Sequence, residues 1–205
     1  YEHDVSASNT ATSGATNLYN STFYFVTSEY RVYKVLDNNN GTAYSGVEPT
    51  STSATPFFLG GYYLQYMYSL TASEIDKFLT TDFLHVSTDS TVSAAAVDGA
   101  VDVVRVTGGS GYTDGTYYSP IDGDGSSGIV KIVVSGGSIA AFGSGGSATE
   151  IFASGSGYTF GTVDLTDVYS DSGLSSATSI GSGTNGVVDP VISPPGGHGK
   201  DAIRE

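Results

Sequence analysis

The chain contains no cysteine and no tryptophan, and only 7 of its 205 residues are lysine or arginine. The absence of cysteine excludes a disulfide framework, a thiolate metal site and a thiol nucleophile. The 7 basic residues stand against 21 acidic ones, which gives a net charge of -14. Nucleic acids and anionic membrane surfaces are bound through local positive charge, so we expect neither as a partner.

Long hydrophobic runs are also missing, since no stretch approaches the roughly 18 apolar residues of a membrane-spanning helix. The chain begins Tyr1-Glu2-His3-Asp4, without the basic segment and apolar core of a signal peptide. It has no initial methionine and stops at Glu205, just after residues that predict the opening of a helix. We therefore expect a segment of a longer protein.

The residues that are abundant favour strands and turns. The chain has 28 glycines, 15 tyrosines and 9 phenylalanines. Tyrosine and phenylalanine suit the pleated surface of a sheet, and this aromatic content is too high for a disordered chain. We predict a mainly β fold, made of β-sandwich or meander modules with one or two short helices.

One phrase occurs twice, as Gly-Ser-Gly-Tyr-Thr-Asp-Gly-Thr at 109–116 and as Gly-Ser-Gly-Tyr-Thr-Phe-Gly-Thr at 155–162. Glycine adopts positive φ at no steric cost, whereas Tyr-Thr suits the start of a strand. Each copy therefore predicts a turn that leads into a strand. Between the copies, the β-branched run 129–134 predicts a strand that turns at 135–138 and returns at 139–142.

The first part of the chain shows strand patterns followed by a helix signal. Residues 23–27 and 30–36 predict a hairpin, and alternation over 62–70 predicts a strand with one face buried. The capping box Thr71-Ala72-Ser73-Glu74 then predicts a short helix near 72–80.

Composition divides the chain into three parts. We predict a tyrosine-rich β domain at 1–90 and a glycine-rich repeat module, a possible insertion, at 91–169. The third part, 170–205, is predicted to be a linker and a Pro-Gly-Gly-His-Gly segment that returns to the first domain.

Catalytic and cofactor motifs are scarce, so we expect no enzyme and no cofactor. There are three histidines and no Gly-x-Ser-x-Gly elbow, and Gly199-Lys200 lacks the Ser or Thr of a phosphate loop. Asp122 and Asp124 resemble the start of a calcium loop, but Val133 stands where the bidentate acid belongs. They are weak metal candidates, and a polar hairpin turn is the favoured interpretation.

Candidate interaction residues come from two patterns. Tyr62, Tyr66 and Tyr68 form a stripe that suits a protein interface or a sugar-stacking platform, although ordinary sheet core is the favoured interpretation. Pro195 and His198 belong to a turn that is rigid, then flexible. That turn either approaches another surface or connects to a helix, with the histidine solvated or capping it.

Several of these segments together resemble one family. The resemblance is carried discontinuously, most specifically by Pro-Gly-Gly-His-Gly-x-Asp-Ala at 195–202, and further by 23–27, 30–41, 66–70, 77–80 and 192–194. The chain resembles the baseplate wedge subunit of T-even-like contractile-tail phages, the product of gene eight, and especially its cyanophage relatives. The glycine-rich middle looks inserted relative to the T-even form.

The resemblance implies a structural virion protein of the tail baseplate, assembled in the host cytoplasm and without catalytic activity. It implies a homodimer that is bound by other baseplate wedge subunits. Two alternatives stay open on the residues alone. One is a carbohydrate-binding or fibre module that uses exposed aromatics and the loop at 122–126, and the other is a subunit of an extracellular filament.

Overall fold

The computed structural model describes residues 23–81, 83–141 and 147–205. Of these residues, 41% lie in strands and 9% in helices, so the predicted mainly β fold is confirmed. The chain divides into two compact units, one of 23–97 and 196–205 and one of 98–195. The expected segment boundary at 90 falls seven residues before this division, and α2 (Ser90–Ala95) occupies the polar stretch around it.

The first unit is built on a four-stranded antiparallel sheet in the order β1-β2-β4-β3. The strands are β1 (Tyr24–Val26), β2 (Arg31–Asp37), β3 (Phe57–Leu59) and β4 (Tyr62–Ser69). The predicted hairpin of β1 and β2 is confirmed, with Phe25 opposite Tyr33. A short 3-10 turn at Asn39–Gly41 follows β2.

Helix α1 (Ala72–Phe78) begins where the sequence predicts it. Thr71 accepts a hydrogen bond from the Glu74 backbone N–H, and the Glu74 carboxylate accepts one from the Thr71 N–H at 2.7 Å. This reciprocal cap satisfies two amides that a helix start otherwise leaves unpaired. The hydrogen bonds from Thr71 keep the pKa of Glu74 below its ordinary value.

Both faces of the first sheet are covered. On one face, Val32 and Tyr68 pack with Ile75 of α1 and with Ala202 from the end of the chain. On the other face, Tyr33 and Tyr66 pack with other apolar side chains, namely Phe25, Ala54, Phe57 and Val92. The centre of β4 is therefore buried on both faces, whereas the sequence predicted one buried face.

The second unit contains the remaining strands. They are β5 (Val101–Ser110), β6 (Gly115–Pro120), β7 (Asp122–Gly123), β8 (Ser126–Ser135), β9 (Ser138–Ile139), β10 (Glu150–Ser156), β11 (Gly161–Thr162), β12 (Val168–Tyr169), β13 (Ala177–Thr178) and β14 (Thr184–Ile192). The path β10-β8-β6-β12-β13 forms a sheet with β9 beside β8, while β5 pairs with β14 and β7 with β11. The turn predicted at 135–138 is confirmed by the pairing of β8 with β9.

The core of the second unit lies between its large sheet and the β5–β14 ribbon. Alternate β8 residues Val130, Ile132 and Val134 are buried, as period-two patterning predicts. They belong to one cluster with Val101 of β5 and Val188 of β14. The run 170–186, interpreted from sequence as a linker, is instead ordered, because β13 and the start of β14 find sheet partners.

The two copies of the repeated phrase have the same backbone conformation. Gly109 and Gly155 have φ of 60° and 61°, and Gly111 and Gly157 have φ of 82° and 75°. In each copy a strand ends at the serine between these glycines, and a new strand begins a few residues later. The prediction of a turn leading into a strand is confirmed for both copies.

The tyrosine of each copy is buried against a pair of glycines. A Cβ added to Gly183 would lie 2.3 Å from the Tyr112 ring, and the Tyr112 hydroxyl accepts a hydrogen bond from the Gly186 N–H at 2.9 Å. In the other copy, a Cβ on Gly125 would lie 2.3 Å from the Tyr158 ring.

The Tyr158 hydroxyl, like that of Tyr112, accepts a hydrogen bond from a glycine, here the Gly128 N–H at 3.1 Å. It also donates one to the Ile121 carbonyl at 3.1 Å. Tyr112 of the first copy thus packs on Gly183 and Gly186, which follow the second copy in the chain, whereas Tyr158 of the second copy packs on Gly125 and Gly128, which lie between the copies.

This seating makes two glycines intolerant of a side chain. We predict that Gly125→Ala and Gly183→Ala each lower the free energy of unfolding by about 1–3 kcal/mol, because a methyl group overlaps a buried ring. Urea unfolding measures the effect. The control is Gly173→Ala, where the new Cβ meets only the Asp171 carboxylate at 3.1 Å. Equal midpoints for the three variants would contradict the seating.

Candidate interaction surfaces

An irregular loop, 42–54, is fixed to the first sheet by tyrosine hydroxyls. Tyr62 donates a hydrogen bond to the Thr42 carbonyl at 2.7 Å. The fully buried Tyr33 donates to the Ser51 carbonyl at 2.8 Å. Backbone carbonyls that no strand or helix satisfies thus find partners on the sheet. The loop is held in one conformation although it has no regular secondary structure.

Tyr44 anchors the loop from within. Its hydroxyl donates to the Val47 carbonyl, and its ring packs edge to face on Tyr62 with the ring centroids 5.5 Å apart. A Cβ on Gly46 or Gly60 would lie 2.5 Å from Tyr44 atoms. The Tyr44 ring is therefore closely confined, and it fits there because Gly46 and Gly60 have no side chain.

The loop and the sheet enclose an apolar groove, called the groove below. It has a volume of about 260 Å³ and is lined mainly by Phe25, Val35, Tyr44, Pro49, Tyr62 and Leu64. Small-molecule sites usually measure roughly 300–1,000 Å³. The groove is therefore of a size to receive one or two side chains of a partner rather than a cofactor.

Glu48 lies at the edge of the groove and is exposed to solvent. Its carboxylate accepts hydrogen bonds from the Ser28 N–H at 2.9 Å and from the Ser28 hydroxyl at 2.6 Å. These bonds hold the pKa of Glu48 below its ordinary value. At neutral pH the groove therefore has an apolar floor and a negatively charged edge.

The three tyrosines singled out in the sequence do not form one stripe. Tyr62 lies in the groove, but Tyr66 and Tyr68 are buried, with 5% and 3% of their surface exposed. Val32 pairs with Tyr68 and Tyr33 with Tyr66, so Met67 is an extra residue in β4. Such a bulge reverses the alternation, and Tyr66 and Tyr68 therefore face opposite sides of the sheet. Both are core residues.

Pro195 and His198 differ in exposure. Pro195 is exposed, whereas His198 retains 5% of its surface and its Nδ1 lies 3.3 Å from Lys34 Nζ. The turn approaches another surface, as one sequence interpretation has it, since a Cβ on Gly197 would lie 2.5 Å from the Val97 backbone. The other interpretation, a histidine that is solvated or caps a helix, does not describe the buried position of His198. Residues 201–204 form a turn rather than the opening of a helix.

His198 lies beside a buried ion pair. Lys34 Nζ donates to Glu205 Oε2 at 2.7 Å, and the two side chains are 1% and 4% exposed. The other Glu205 oxygen accepts from the Gly199 N–H at 2.6 Å. Burial lowers the pKa of Lys34, and the Glu205 charge opposes that effect. This contact fixes the segment 196–205 on the first sheet.

The loop around Asp122 and Asp124 is organised by its own hydrogen bonds. Asp124 accepts from the Thr159 N–H at 2.8 Å, from the Thr159 hydroxyl at 2.6 Å and from the Phe160 N–H. These bonds lower the pKa of Asp124. Within the described ranges no three His, Asp or Glu side chains are placed to hold a metal ion. The polar turn is the interpretation that fits this geometry.

A second exposed apolar surface lies on the first unit, after α1. Phe78 and Phe83 are 50% and 74% exposed and border a shallow depression with Val86. His85 stacks on Phe78 at 5.2 Å and lies 3.2 Å from the Glu74 carboxylate. This surface is more open than the groove and lacks its confined aromatic walls.

Sequence reasoning missed most of the groove. Phe25, Val35 and Leu64 were placed in predicted strands, but Tyr44 and Glu48 fell in a segment predicted only to be a loop. The one available signal was the presence of an aromatic residue between Thr42 and Gly46 in an otherwise small and polar stretch. Only tertiary structure brings these residues to one site.

Comparisons with protein-family models, with curated proteins and with solved structures give no match to this chain. In the part of the chain that the structure describes, no helix has both the length and the apolar character needed to cross a membrane. The geometry of the two units is therefore the basis for a functional conclusion.

The buried ion pair gives a prediction for stability. We expect Glu205→Gln to lower the free energy of unfolding by about 3–5 kcal/mol, because it leaves the Lys34 ammonium buried without its counter-ion. Combining it with Lys34→Met should restore part of the loss. As a control, Glu150→Gln breaks the more exposed Lys131–Glu150 pair and should change stability by about 1 kcal/mol or less. Chemical denaturation of the three variants and the native chain measures both effects, and equal losses for the two Glu→Gln variants would contradict this account.

Proposed function

We propose that the chain is a structural component of a contractile phage tail, a baseplate wedge subunit that acts through protein–protein contacts. In this proposal it is located in the virion, is assembled in the host cytoplasm, forms a homodimer and is bound by other wedge subunits. The family resemblance of the sequence supports the identity of the assembly. The geometry supports the mode of action, which is docking of partners onto fixed surfaces.

The groove is the observation that carries the proposal. A partner side chain that enters it meets walls that are already ordered, since hydroxyl contacts hold the loop at Thr42, Val47 and Ser51. Preorganisation reduces the entropy lost on binding, which otherwise opposes association. Aromatic side chains such as Tyr44 and Tyr62 are also the types that dominate binding energy at protein interfaces.

The carboxylates of the second unit support a scaffold role as well. Asp171 accepts hydrogen bonds from the N–H groups of Ser175 and Ser176, and Asp164 accepts from the Thr166 N–H at 2.8 Å. Desolvation raises the pKa of Asp171, but the hydrogen bonds outweigh it, so the pKa values of both carboxyls lie below their ordinary range. The same hydrogen bonds order the turns that these carboxylates span.

Carbohydrate binding is a second candidate function, favoured by one observation on the second unit. The outward-facing rings of Tyr118 and Phe152 pack edge to face at 5.3 Å, and Tyr169 pairs with Tyr118 on the neighbouring strand. Sugar rings stack on such aromatic faces. Saturable binding of a purified polysaccharide that is lost in a Phe152→Ser variant would favour this alternative over the wedge role.

The isolated chain gives the first test of the wedge proposal. We expect light scattering after size exclusion to give a discrete mass of twice the 21.0 kDa chain over a wide concentration range. Open-ended growth of the mass with concentration would instead indicate a filament subunit. A mass that stays at one chain would contradict the homodimer.

Charge in the groove gives the test of the docking mode. We expect Val35→Lys to weaken assembly with the other wedge proteins of the same phage about tenfold or more, because its longer side chain would occupy the apolar groove and binding would bury its ammonium. Val26→Lys is the matched control, since Val26 is 41% exposed and lies on the opposite face of the same sheet. Co-purification followed by light scattering compares the two variants, and equal assembly would contradict the role of the groove.

A further inference from the structure

We infer that the groove binds an extended segment of a partner protein in which a proline or branched aliphatic side chain lies next to a lysine or arginine. This inference rests on the proposed function, because it names the chemistry of the partner at the same site. It goes further than docking in general, since it specifies the shape, the anchor and the charge of the occupant.

The shape of the occupant follows from the dimensions of the groove. Its volume of about 260 Å³ holds one or two side chains and is too small to take up a helix, which is roughly 10–12 Å across with its side chains. Its lining combines Tyr44, Glu48 and Pro49 of the loop with Tyr62 and Leu64 of β4. An extended chain can place an anchor in such a groove while its backbone stays outside.

The anchor is apolar because the polar atoms of the walls are already engaged. The Tyr62 hydroxyl donates to Thr42, and the Tyr44 hydroxyl donates to Val47. Apart from Glu48, what remains facing the groove is aromatic and aliphatic surface from Phe25, Val35 and Leu64 together with these rings. Aromatic-lined grooves bind proline-rich segments because such segments are already extended in solution and lose little entropy.

The neighbouring basic residue follows from the electrostatics of the edge. Glu48 is the one charged side chain among the described residues that line the groove, and its pKa is lowered by Ser28, so it is ionised at neutral pH. The whole chain carries a net charge of -14, which attracts a basic partner and repels an acidic one. A lysine or arginine beside the anchor can reach Glu48 without entering the groove.

The test uses the full chain and a library of short random peptides displayed on phage particles. Peptides are selected on the native chain after counter-selection on the Val35→Lys variant, and the enriched sequence is synthesised and titrated by fluorescence anisotropy. We expect enrichment of proline or branched aliphatic residues next to lysine or arginine. Enrichment of acidic peptides, of peptides without an apolar anchor, or of none above background would overturn the inference.

Glu48→Gln isolates the charge, because glutamine keeps an oxygen that can accept the hydrogen bonds from Ser28. We expect it to weaken binding of the basic peptide about twofold to fivefold, the range of an exposed ion pair, and to leave a peptide with alanine for the basic residue unchanged. The difference in affinity for the basic peptide between the native chain and Glu48→Gln should disappear in high salt. Equal binding of the basic peptide by the native chain and by Glu48→Gln would overturn the assigned role of Glu48.

The two proposals fail in different ways. If Val35→Lys abolishes wedge assembly while the selected peptides lack the expected anchor and charge, the wedge role stands and the inference about the occupant is wrong. If the peptides bind as expected but the native chain does not assemble with the other wedge proteins, the groove is a peptide site and the proposed function is wrong.

Discussion

Hydrogen bonds between tyrosine hydroxyls and the backbone stabilise each of the two units. In the second unit the hydroxyls of Tyr112 and Tyr158 accept hydrogen bonds from the N–H groups of Gly186 and Gly128. In the first unit the hydroxyls of Tyr33 and Tyr62 donate hydrogen bonds to loop carbonyls. Each contact combines a buried ring with a hydroxyl that satisfies a peptide group left over by the sheets. In a chain without cysteine, these contacts restrain the long connections between strands that disulfides restrain in other small β domains.

The same interaction links the fold to the proposed role. The groove exists because tyrosine hydroxyls fix the loop at 42–54, so the surface offered to a partner is part of the folded structure rather than formed on binding. Glycine is required beside Tyr44, at Gly46 and Gly60, as it is beside Tyr112 and Tyr158. These tyrosine–glycine contacts have the same physical explanation in both units.

Local elements could be predicted from the sequence, whereas their combination could not. The hairpin of β1 and β2, the capping box of α1 and the turns of the repeated phrase depend on contacts a few residues apart, and they were predicted correctly. The bulge at Met67, the burial of His198 by Lys34 and Glu205, and the order of 170–186 depend on partners distant in the chain. Of the groove, only Tyr62 was singled out, because its other residues come from two more strands and a loop without a recognisable pattern.

Hydrogen–deuterium exchange of the chain, alone and within an assembled baseplate wedge, tests the central claim most directly. Docking on the groove predicts that the backbone amides of 42–48 and of Tyr62–Leu64 exchange more slowly in the assembly than in the free chain. Protection confined to other parts of either unit, with these amides unchanged, would contradict a role for the groove in assembly.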